Sequence, residues 1–159
     1  MDKRRHRSYH SEKPIELLSK REFRKRFRVS NDISIRLIDG GSVPTENEFF
    51  NVITFNKEQF NVELRFSLPL FFKQFLHFTK IRPSFFHPNA VKVLMGFSIL
   101  NMLFHLDLSL LEILFIYIVK MSRKGIFRLS AHIPSLQLVT GLPDSTKGTT
   151  KEHVVVLGP

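Results

Sequence analysis

The sequence predicts an α+β fold with a central α-helical region, made of an αα-hairpin and flanking helices, and short β-strands on either side of it. Residues 93–119 form a long apolar stretch that is broken near its middle. The segments before and after that stretch alternate apolar and polar residues at the period of a strand. A chain of 159 residues that is 43% hydrophobic and contains 17 Phe is large enough to bury one core. We therefore expect a single α+β domain over residues 29–159.

The first 28 residues differ from the rest in charge. They contain 11 Lys and Arg against 4 Asp and Glu, a net charge of +7, whereas residues 29–159 contain 13 against 10, a net charge of +3. Residues 1–13 have no hydrophobic periodicity, which is typical of disorder. We expect residues 1–28 to form a basic, partly disordered N-terminal arm with a short helix.

A capping box predicts where that short helix begins. Ser19 and Glu22 have the spacing at which each side chain accepts a hydrogen bond from the backbone N–H of the other. Phe23 and Phe27 lie four residues apart and therefore share one face of the helix. We expect these two rings to anchor the helix to the core.

Two strands are predicted after the arm. Ile33, Ile35 and Leu37 alternate with polar residues, and residues 50–55 are a second apolar run that follows a Gly-containing turn. We expect the two strands to pair with each other across the loop between them. Asn56 is then placed to cap a short helix that ends near residue 64.

Two longer helices come next. Pro69 suits the first turn of a helix that ends near residue 79, and Phe71, Phe75 and Phe78 are predicted to form its apolar stripe. The sequence His87-Pro88-Asn89 predicts the start of the longest helix, which ends near residue 104.

The apolar stretch at residues 93–119 is nearly long enough to span a membrane, which takes about 20 consecutive apolar residues. Asp107 lies near its middle, where an Asp would cost about 2.5–3.5 kcal/mol in a bilayer. Ser109 and Glu112 form a second capping box, which predicts a new helix from there to about Met121. We therefore predict an αα-hairpin that is hidden in the protein core. A membrane-associated hairpin is the alternative, and we consider a membrane role the weaker of the two.

The C-terminal part is predicted to be β-structured. Residues 126–131, 136–140 and 154–157 are short candidate strands, separated by Pro and Gly. Residues 141–148 contain Gly and Lys but lack the spacing of a phosphate-binding loop, so we interpret them as a turn.

No residue pattern indicates a catalytic, cofactor or metal site. The sequence has no Cys, and its seven His do not occur at metal-binding spacing with a carboxylate. The carboxylates Asp107 and Glu112 are explained by helix capping. We therefore predict a protein that is not an enzyme, has no cofactor and takes no small-molecule substrate.

Two basic clusters in the arm are the candidate functional residues. Such clusters bind nucleic-acid phosphates or direct nuclear import. No hydrophobic run follows the basic N-terminus, so we expect an intracellular protein that is not secreted, with the nucleus as a candidate location. The candidate contact residues for nucleic acid or an import receptor are Lys3, Arg4, Arg5, Arg7, Lys20, Arg21, Arg24, Lys25, Arg26 and Arg28.

Four segments carry a resemblance to a known family. They read FFKQFLHF at residues 71–78, HPNA at 87–90, LSLLE at 108–112 and PSLQLVTGLPDSTKG at 134–148. In this order they resemble the plant gypsy-type transposon domain, also described as a transposase domain of gypsy type. The resemblance covers roughly residues 45–150.

The resemblance implies a retroelement-derived protein and transfers no active-site residue. Relatives carry Trp in the long helix and continue beyond the point where this chain stops, so we expect a C-terminally truncated copy. Our hypothesis is a non-enzymatic structural or interaction module with a basic arm, and self-association is a further partner hypothesis. The alternatives are a fragment of a nucleic-acid-processing transposon enzyme and the membrane-associated hairpin.

Overall fold

The computed structural model describes residues 12–40, 52–137, 139 and 152–157. These residues form an α+β fold, as predicted. The helices are α1 (Lys20–Arg26), α2 (Glu58–Asn61), α3 (Leu70–Thr79), α4 (Pro88–Phe104) and α5 (Leu110–Ile116). The strands are β1 (Ser34–Asp39), β2 (Val52–Asn56), β3 (Tyr117–Met121), β4 (Phe127–Ala131) and β5 (Glu152–Leu157). Single 3₁₀ turns occur at Ile15–Leu17, Pro83–Phe85 and Pro134–Leu136.

The first sheet has the order β1-β5-β2, and β5 is antiparallel to both neighbours. Ile35 of β1 and Phe55 of β2 lie opposite Val156 and Val154 of β5. The predicted pairing of β1 with β2 is therefore wrong. Successive side chains of a strand point to opposite faces, and both Val154 and Val155 are fully buried. A strand that is apolar on both faces is best buried at the centre of the sheet, so β5 separates the two strands that are neighbours in sequence.

A buried lysine connects the three strands at one end of this sheet. The Lys57 side chain is fully buried, and its Nζ lies 2.7 Å from Oδ1 of Asp39 and 3.1 Å from Oε2 of Glu152. Burial alone would lower the pKa of Lys57, but hydrogen bonds to Asp39 and Glu152 outweigh burial and raise it. The ammonium therefore stays charged and holds the ends of β1 and β5 beside the end of β2.

Helix α1 belongs to the core through its aromatic face. Phe23 and Phe27 are buried, and the centroids of their rings lie 4.9 Å and 5.5 Å from that of Phe60. Ile15 and Leu18 are buried in the same cluster. The two predicted anchors are thus confirmed, and the boundary predicted after residue 28 falls inside a packed region.

Helix α3 begins directly after Pro69, as predicted, and packs against α4 and α5. Phe71 and Phe75 are buried, but the third residue of the predicted stripe, Phe78, is 61% exposed. Phe72 is fully buried in its place. Leu76 and Thr79 in the last turn are half-buried, so the buried face of α3 runs along Phe72, Phe75 and these two residues. At about 100° per residue Phe78 projects from the edge of that face.

The predicted break in the apolar stretch is confirmed. Helix α4 ends at Phe104, and His105 adopts the left-handed conformation that commonly terminates helices. The N–H of Leu108 then donates to Oδ1 of Asn101 at 2.9 Å, and the capping box of Ser109 and Glu112 starts α5. Within the described ranges, no helix combines the length and the apolar character needed to cross a bilayer.

The helices on either side of the break do not pack against each other as the predicted αα-hairpin, because each packs against α3 instead. The second of them is also shorter than expected. It ends at Ile116, and the residues up to Met121 form strand β3 instead of a helix. The reason is that Tyr117, Ile118 and Val119 are aromatic or β-branched and find a partner strand in β4. His132 N–H donates to the carbonyl of Ile116 at 2.7 Å and closes the hairpin onto α5.

Strand β4 confirms the prediction for residues 126–131, and β5 confirms the one for residues 154–157. The predicted strand at 136–140 is corrected at its start, because Leu136 ends a 3₁₀ turn. Pro134 favours that turn because its ring fixes φ near the value the turn needs. Residues 138 and 140 lie outside the described part of the chain, as does the predicted turn at 141–148.

Candidate nucleic-acid interface

Helix α1 and the two residues after it carry the described members of the predicted basic clusters, and a capping box fixes where the helix starts. Ser19 accepts a hydrogen bond from the N–H of Glu22 at 3.2 Å, and the N–H of Ser19 donates to the Glu22 carboxylate at 2.8 Å. The ammonium of Lys13 donates to the same carboxylate at 2.8 Å. These contacts, with that of Lys13 first, lower the pKa of Glu22 from its ordinary value of 4.5 to about 2.

Because Phe23 and Phe27 face the core, the remaining positions of α1 are turned towards solvent. Lys20, Arg21 and Lys25 of α1 and Arg28, two residues beyond its end, are exposed, and we call these four residues the α1 basic face. Their side chains form no ion pair or hydrogen bond with any other described residue. An open groove runs along this face, and it is lined by Lys20, Arg21, Arg24, Lys25, Val29 and Asn31.

Two of the candidate residues have structural partners. The guanidinium of Arg24 donates to the carbonyls of Ser30 and Ile33, at 2.8 Å and 2.5 Å. Arg24 therefore fastens the end of α1 to the chain that enters β1. Its charge still contributes to the groove, but its donors are already used.

Arg26 is held in a similar way. Its guanidinium donates to the Glu12 carboxylate at 2.7 Å and to the Lys13 carbonyl at 2.5 Å. The ion pair with Glu12 neutralises the charge of Arg26. The structure thus divides the candidates on α1 into the free α1 basic face and two bound arginines. Lys3, Arg4, Arg5 and Arg7 lie outside the described residues.

The α1 basic face can bind phosphate oxygens through charge and hydrogen bonds. Arginine suits this role because its planar guanidinium can donate two parallel hydrogen bonds to one phosphate. The aromatic rings of α1, Phe23 and Phe27, are buried, so the helix offers no ring on which an unpaired base could stack. The arrangement therefore fits contacts to a nucleic-acid backbone better than contacts to bases.

Sequence reasoning missed a second basic region on strands β3 and β4. Lys120, Arg123, Lys124 and Arg128 lie in the hairpin that these strands form. The prediction of a helix as far as Met121 concealed this arrangement. One signal was available, because residues 113–143 contain these four cations and no Asp or Glu.

Sequence reasoning also missed an exposed apolar surface. The apolar stretch was expected to be hidden, but a third or more of each of eight large apolar side chains around the end of α4 and the start of α5 is exposed. One groove joins Leu70 to Ile99 and Met102, and another joins Leu111 to Phe115. We call this surface the apolar end. It consists of Leu70, Ile99, Met102, Leu103, Phe104, Leu106, Leu111 and Phe115.

The described His and carboxylate side chains do not come together as a metal site. No three of them lie close enough to share an ion in the part of the chain that the structure describes. His87 acts at the start of α4, where its Nδ1 accepts a hydrogen bond from the N–H of Asn89 at 3.1 Å.

Comparisons with known proteins return no match: no family model, no curated protein and no solved structure is similar to this chain.

Proposed function

We propose that this chain is a non-enzymatic interaction module of retroelement origin that binds nucleic acid through its basic N-terminal region. The observation that supports this function best is the α1 basic face, where four exposed cations have no partner among the described residues. Cations that contact phosphates release condensed counterions, and that release favours binding irrespective of sequence. The retroelement origin rests on the resemblance in residues 71–148.

An import receptor is the competing partner for the same residues. An import signal is a short basic segment of five to eight residues, whereas the cluster at residues 20–28 is folded and has Phe23 and Phe27 in the core. The folded helix therefore favours a partner that binds a fixed surface, as a duplex does. An import role would fall to Lys3, Arg4, Arg5 and Arg7.

The enzyme alternative gains no support from the described residues. Phosphoryl transfer enzymes commonly hold metal ions between clustered carboxylates, and Asp107 and Glu112 do not form such a cluster with a third described residue. The predicted capping role is confirmed for Glu112 and wrong for Asp107, which accepts no hydrogen bond from a described residue. Glu112 accepts hydrogen bonds at the start of α5, and Asp107 lies in the turn that ends α4.

The test of nucleic-acid binding requires substitutions, because a deletion of residues 1–28 would also remove Phe23 and Phe27 from the core. We expect the double variant Lys20→Gln/Lys25→Gln to bind a short DNA duplex about tenfold more weakly at low salt, since two phosphate contacts are lost. The matched control is Lys73→Gln/Lys80→Gln, which removes the same charge from exposed positions at α3. Equal affinity of the two variants would contradict the proposal.

The apolar end supports a second function, which is association of this chain with a second copy of itself. Its eight side chains are each between 43% and 75% exposed, and large apolar side chains form the buried centre of protein interfaces. Grouped exposed apolar side chains of this kind mark protein–protein interaction sites. Asp107 and Glu112 border it, and their negative charge disfavours an anionic membrane as the occupant.

Sedimentation equilibrium tests this association. We expect the wild-type chain to dimerise as its concentration rises and Met102→Glu/Leu111→Glu to remain a monomer, because both residues are exposed and their substitution leaves the core intact. The control is Leu17→Glu, which places a charge at an equally exposed residue outside the apolar end. A wild-type chain that stays monomeric at all concentrations would exclude this function.

A further inference from the structure

The β3–β4 hairpin concentrates positive charge on one side of a rigid ribbon. In its register Lys120 lies directly opposite Arg128, and Arg123 and Lys124 lie in the turn between the strands. The nearest acidic residues in sequence are Glu112 and Asp144, so the hairpin itself contains no carboxylate.

The opposite face of the hairpin fixes which way these cations point. Successive residues of a strand alternate between its faces, and Tyr117 and Leu129 are buried on the inner face against the core. Lys120 and Arg128 therefore lie on the outer face, as do Ile118 and its partner Ser130. The basic residues cannot turn inward without exposing that core.

The turn at the end of the hairpin is also held in place. The N–H of Ser122 donates to the carbonyl of Ile126 at 2.8 Å, and the N–H of Gly125 donates to the carbonyl of Ser122 at 3.0 Å. Gly125 has a φ of +76°, a conformation that glycine adopts without strain. Arg123 and Lys124 are thus presented at a defined position beside the pair on the strands.

Nothing in the described structure neutralises the four cations. None of their side chains forms an ion pair or a hydrogen bond with another described residue. Like charges directly opposite each other destabilise a pair of strands. An external polyanion would remove this repulsion and release its own counterions at the same time.

We propose that the β3–β4 hairpin is a second nucleic-acid-binding surface of this chain, which contacts the phosphates of a duplex through Lys120, Arg123, Lys124 and Arg128. The choice of nucleic acid as the polyanion rests on the function proposed for the α1 basic face. A duplex carries one negative charge per about 1.7 Å of its axis, a dense row of phosphates that can face a compact group of four cations.

An anionic membrane is the other polyanion with such charge density. Membrane-surface segments combine cations with large apolar side chains that enter the lipid. In the hairpin two apolar side chains are exposed, Ile118 at 40% on the outer face and Met121 at 66% at the end of β3, which is few beside four cations. The outer face therefore fits phosphates in a solvated groove better than it fits the lipid interior.

The experiment compares the wild-type chain with Lys120→Gln/Arg123→Gln/Lys124→Gln/Arg128→Gln by fluorescence anisotropy on a labelled duplex over a range of salt concentrations. We expect the variant to bind at least tenfold more weakly at low salt, with the slope of log K against log salt reduced in magnitude by about 3 to 4. An unchanged circular dichroism spectrum serves as the control for folding.

A second measurement on the wild-type chain does not depend on the folding of the variant. Lysine acetylation is followed by mass spectrometry with and without the duplex, and we expect the duplex to protect Lys120 and Lys124 but not Lys73. The hairpin proposal is overturned if the wild-type chain binds the duplex, both lysines stay reactive in that complex, and the variant has the same salt slope as the wild type. The α1 function would still stand in that case. The same two chains are also tested for binding to anionic lipid vesicles. If the variant loses binding to the vesicles but not to the duplex, nucleic acid is the wrong ligand for the hairpin. A wild-type chain that binds no duplex would overturn the α1 function and this proposal together.

Discussion

Single carboxylates decide how the region around α1 responds to pH, and two of them act in opposite directions. Glu22 accepts hydrogen bonds from Lys13 and from the backbone of Ser19, so its ionised form is favoured in the folded chain. Glu58 is partly buried and lies near Glu16, so its ionised form is disfavoured. Ionisation of Glu22 therefore stabilises the folded chain, whereas ionisation of Glu58 destabilises it.

Glu22 stabilises the folded chain only while it is ionised. Its pKa is lowered to about 2 from 4.5, so its contribution is complete above about pH 4.5 and is lost as the pH falls towards 2. We expect Glu22→Gln to lower the melting temperature at pH 7 and to have little effect near pH 2. Thermal unfolding of both chains across this range measures the difference, and a difference that grew on acidification would contradict the assignment.

Glu58 has the opposite linkage, because burial first, and then Glu16 and Glu152, raise its pKa above the ordinary value of 4.5. Glu58 therefore stabilises the folded chain fully below about pH 4.5, where it is protonated. This stabilisation is lost as the pH rises through the pKa that Glu58 has in the folded chain. We expect Glu58→Gln to stabilise the chain at pH 7 by less than about 1 kcal/mol, since the carboxylate remains partly hydrated. Below pH 4 both chains should unfold alike in urea. A destabilised variant at pH 7 would contradict this account.

The elements are held together by contacts that join residues distant in sequence. Lys57 joins β1 and β5, and the Nε2 of Gln59 in α2 donates to the carbonyls of Pro83 and Phe86 at 2.6 Å and 2.9 Å. Lys57 directly precedes the short helix α2, and Gln59 lies in its first turn. Helix α2 therefore lies between the sheet and the start of α4. Polar contacts of this kind fix the arrangement of elements that apolar packing alone leaves open.

Lys57 is the clearest test at this scale. We expect Lys57→Ala to lower the free energy of unfolding by about 3 kcal/mol, because it leaves a void and removes the partner of Glu152, whose side chain is only 20% exposed. Lys57→Met should recover part of this loss, since it restores the apolar volume while Asp39, whose side chain is 66% exposed, can be hydrated. Urea unfolding at pH 7 provides the values, and a cost below about 1 kcal/mol for Lys57→Ala would indicate that the ion pairs contribute little.

The sequence predicted elements best where local signals were strong. Both capping boxes, the Pro-initiated α3 and α4 and the break after Phe104 depend on neighbouring residues, and all are present. The errors concern tertiary partners. The central place of β5 and the change from α5 to β3 at Tyr117 depend on strands that are distant in sequence or unrecognised, which hydrophobic periodicity does not reveal.

The same limit applies to the functional surfaces. A charge count predicted the basic residues of α1, but it could not separate the free Lys20, Arg21, Lys25 and Arg28 from Arg24 and Arg26. That separation depends on tertiary contacts, because Arg24 binds the backbone carbonyl of Ser30 and Arg26 binds the carboxylate of Glu12. The apolar end was likewise hidden from sequence reasoning, because apolar residues at the surface and in the core look alike in a sequence.

At the scale of the whole molecule, the described surface has two basic regions and an apolar one. The α1 basic face and the β3–β4 hairpin each carry four cations without partners among the described residues, and the carboxylates Asp107 and Glu112 lie beside the apolar end. Association through the apolar end would double the number of cations available to one duplex. Linked binding sites of this kind raise the overall affinity without any new contact.

The salt dependence of duplex binding tests the central claim, which is that the α1 basic face contacts phosphates. The comparison is between the wild-type chain and Lys20→Gln/Arg21→Gln/Lys25→Gln/Arg28→Gln. Each phosphate contact adds about 0.9 to the slope of log K against log salt. We predict that the variant remains folded and has a slope lower in magnitude by about 3 to 4. An unchanged slope, or a wild-type chain that does not bind a duplex even at about 50 mM salt, would contradict the account.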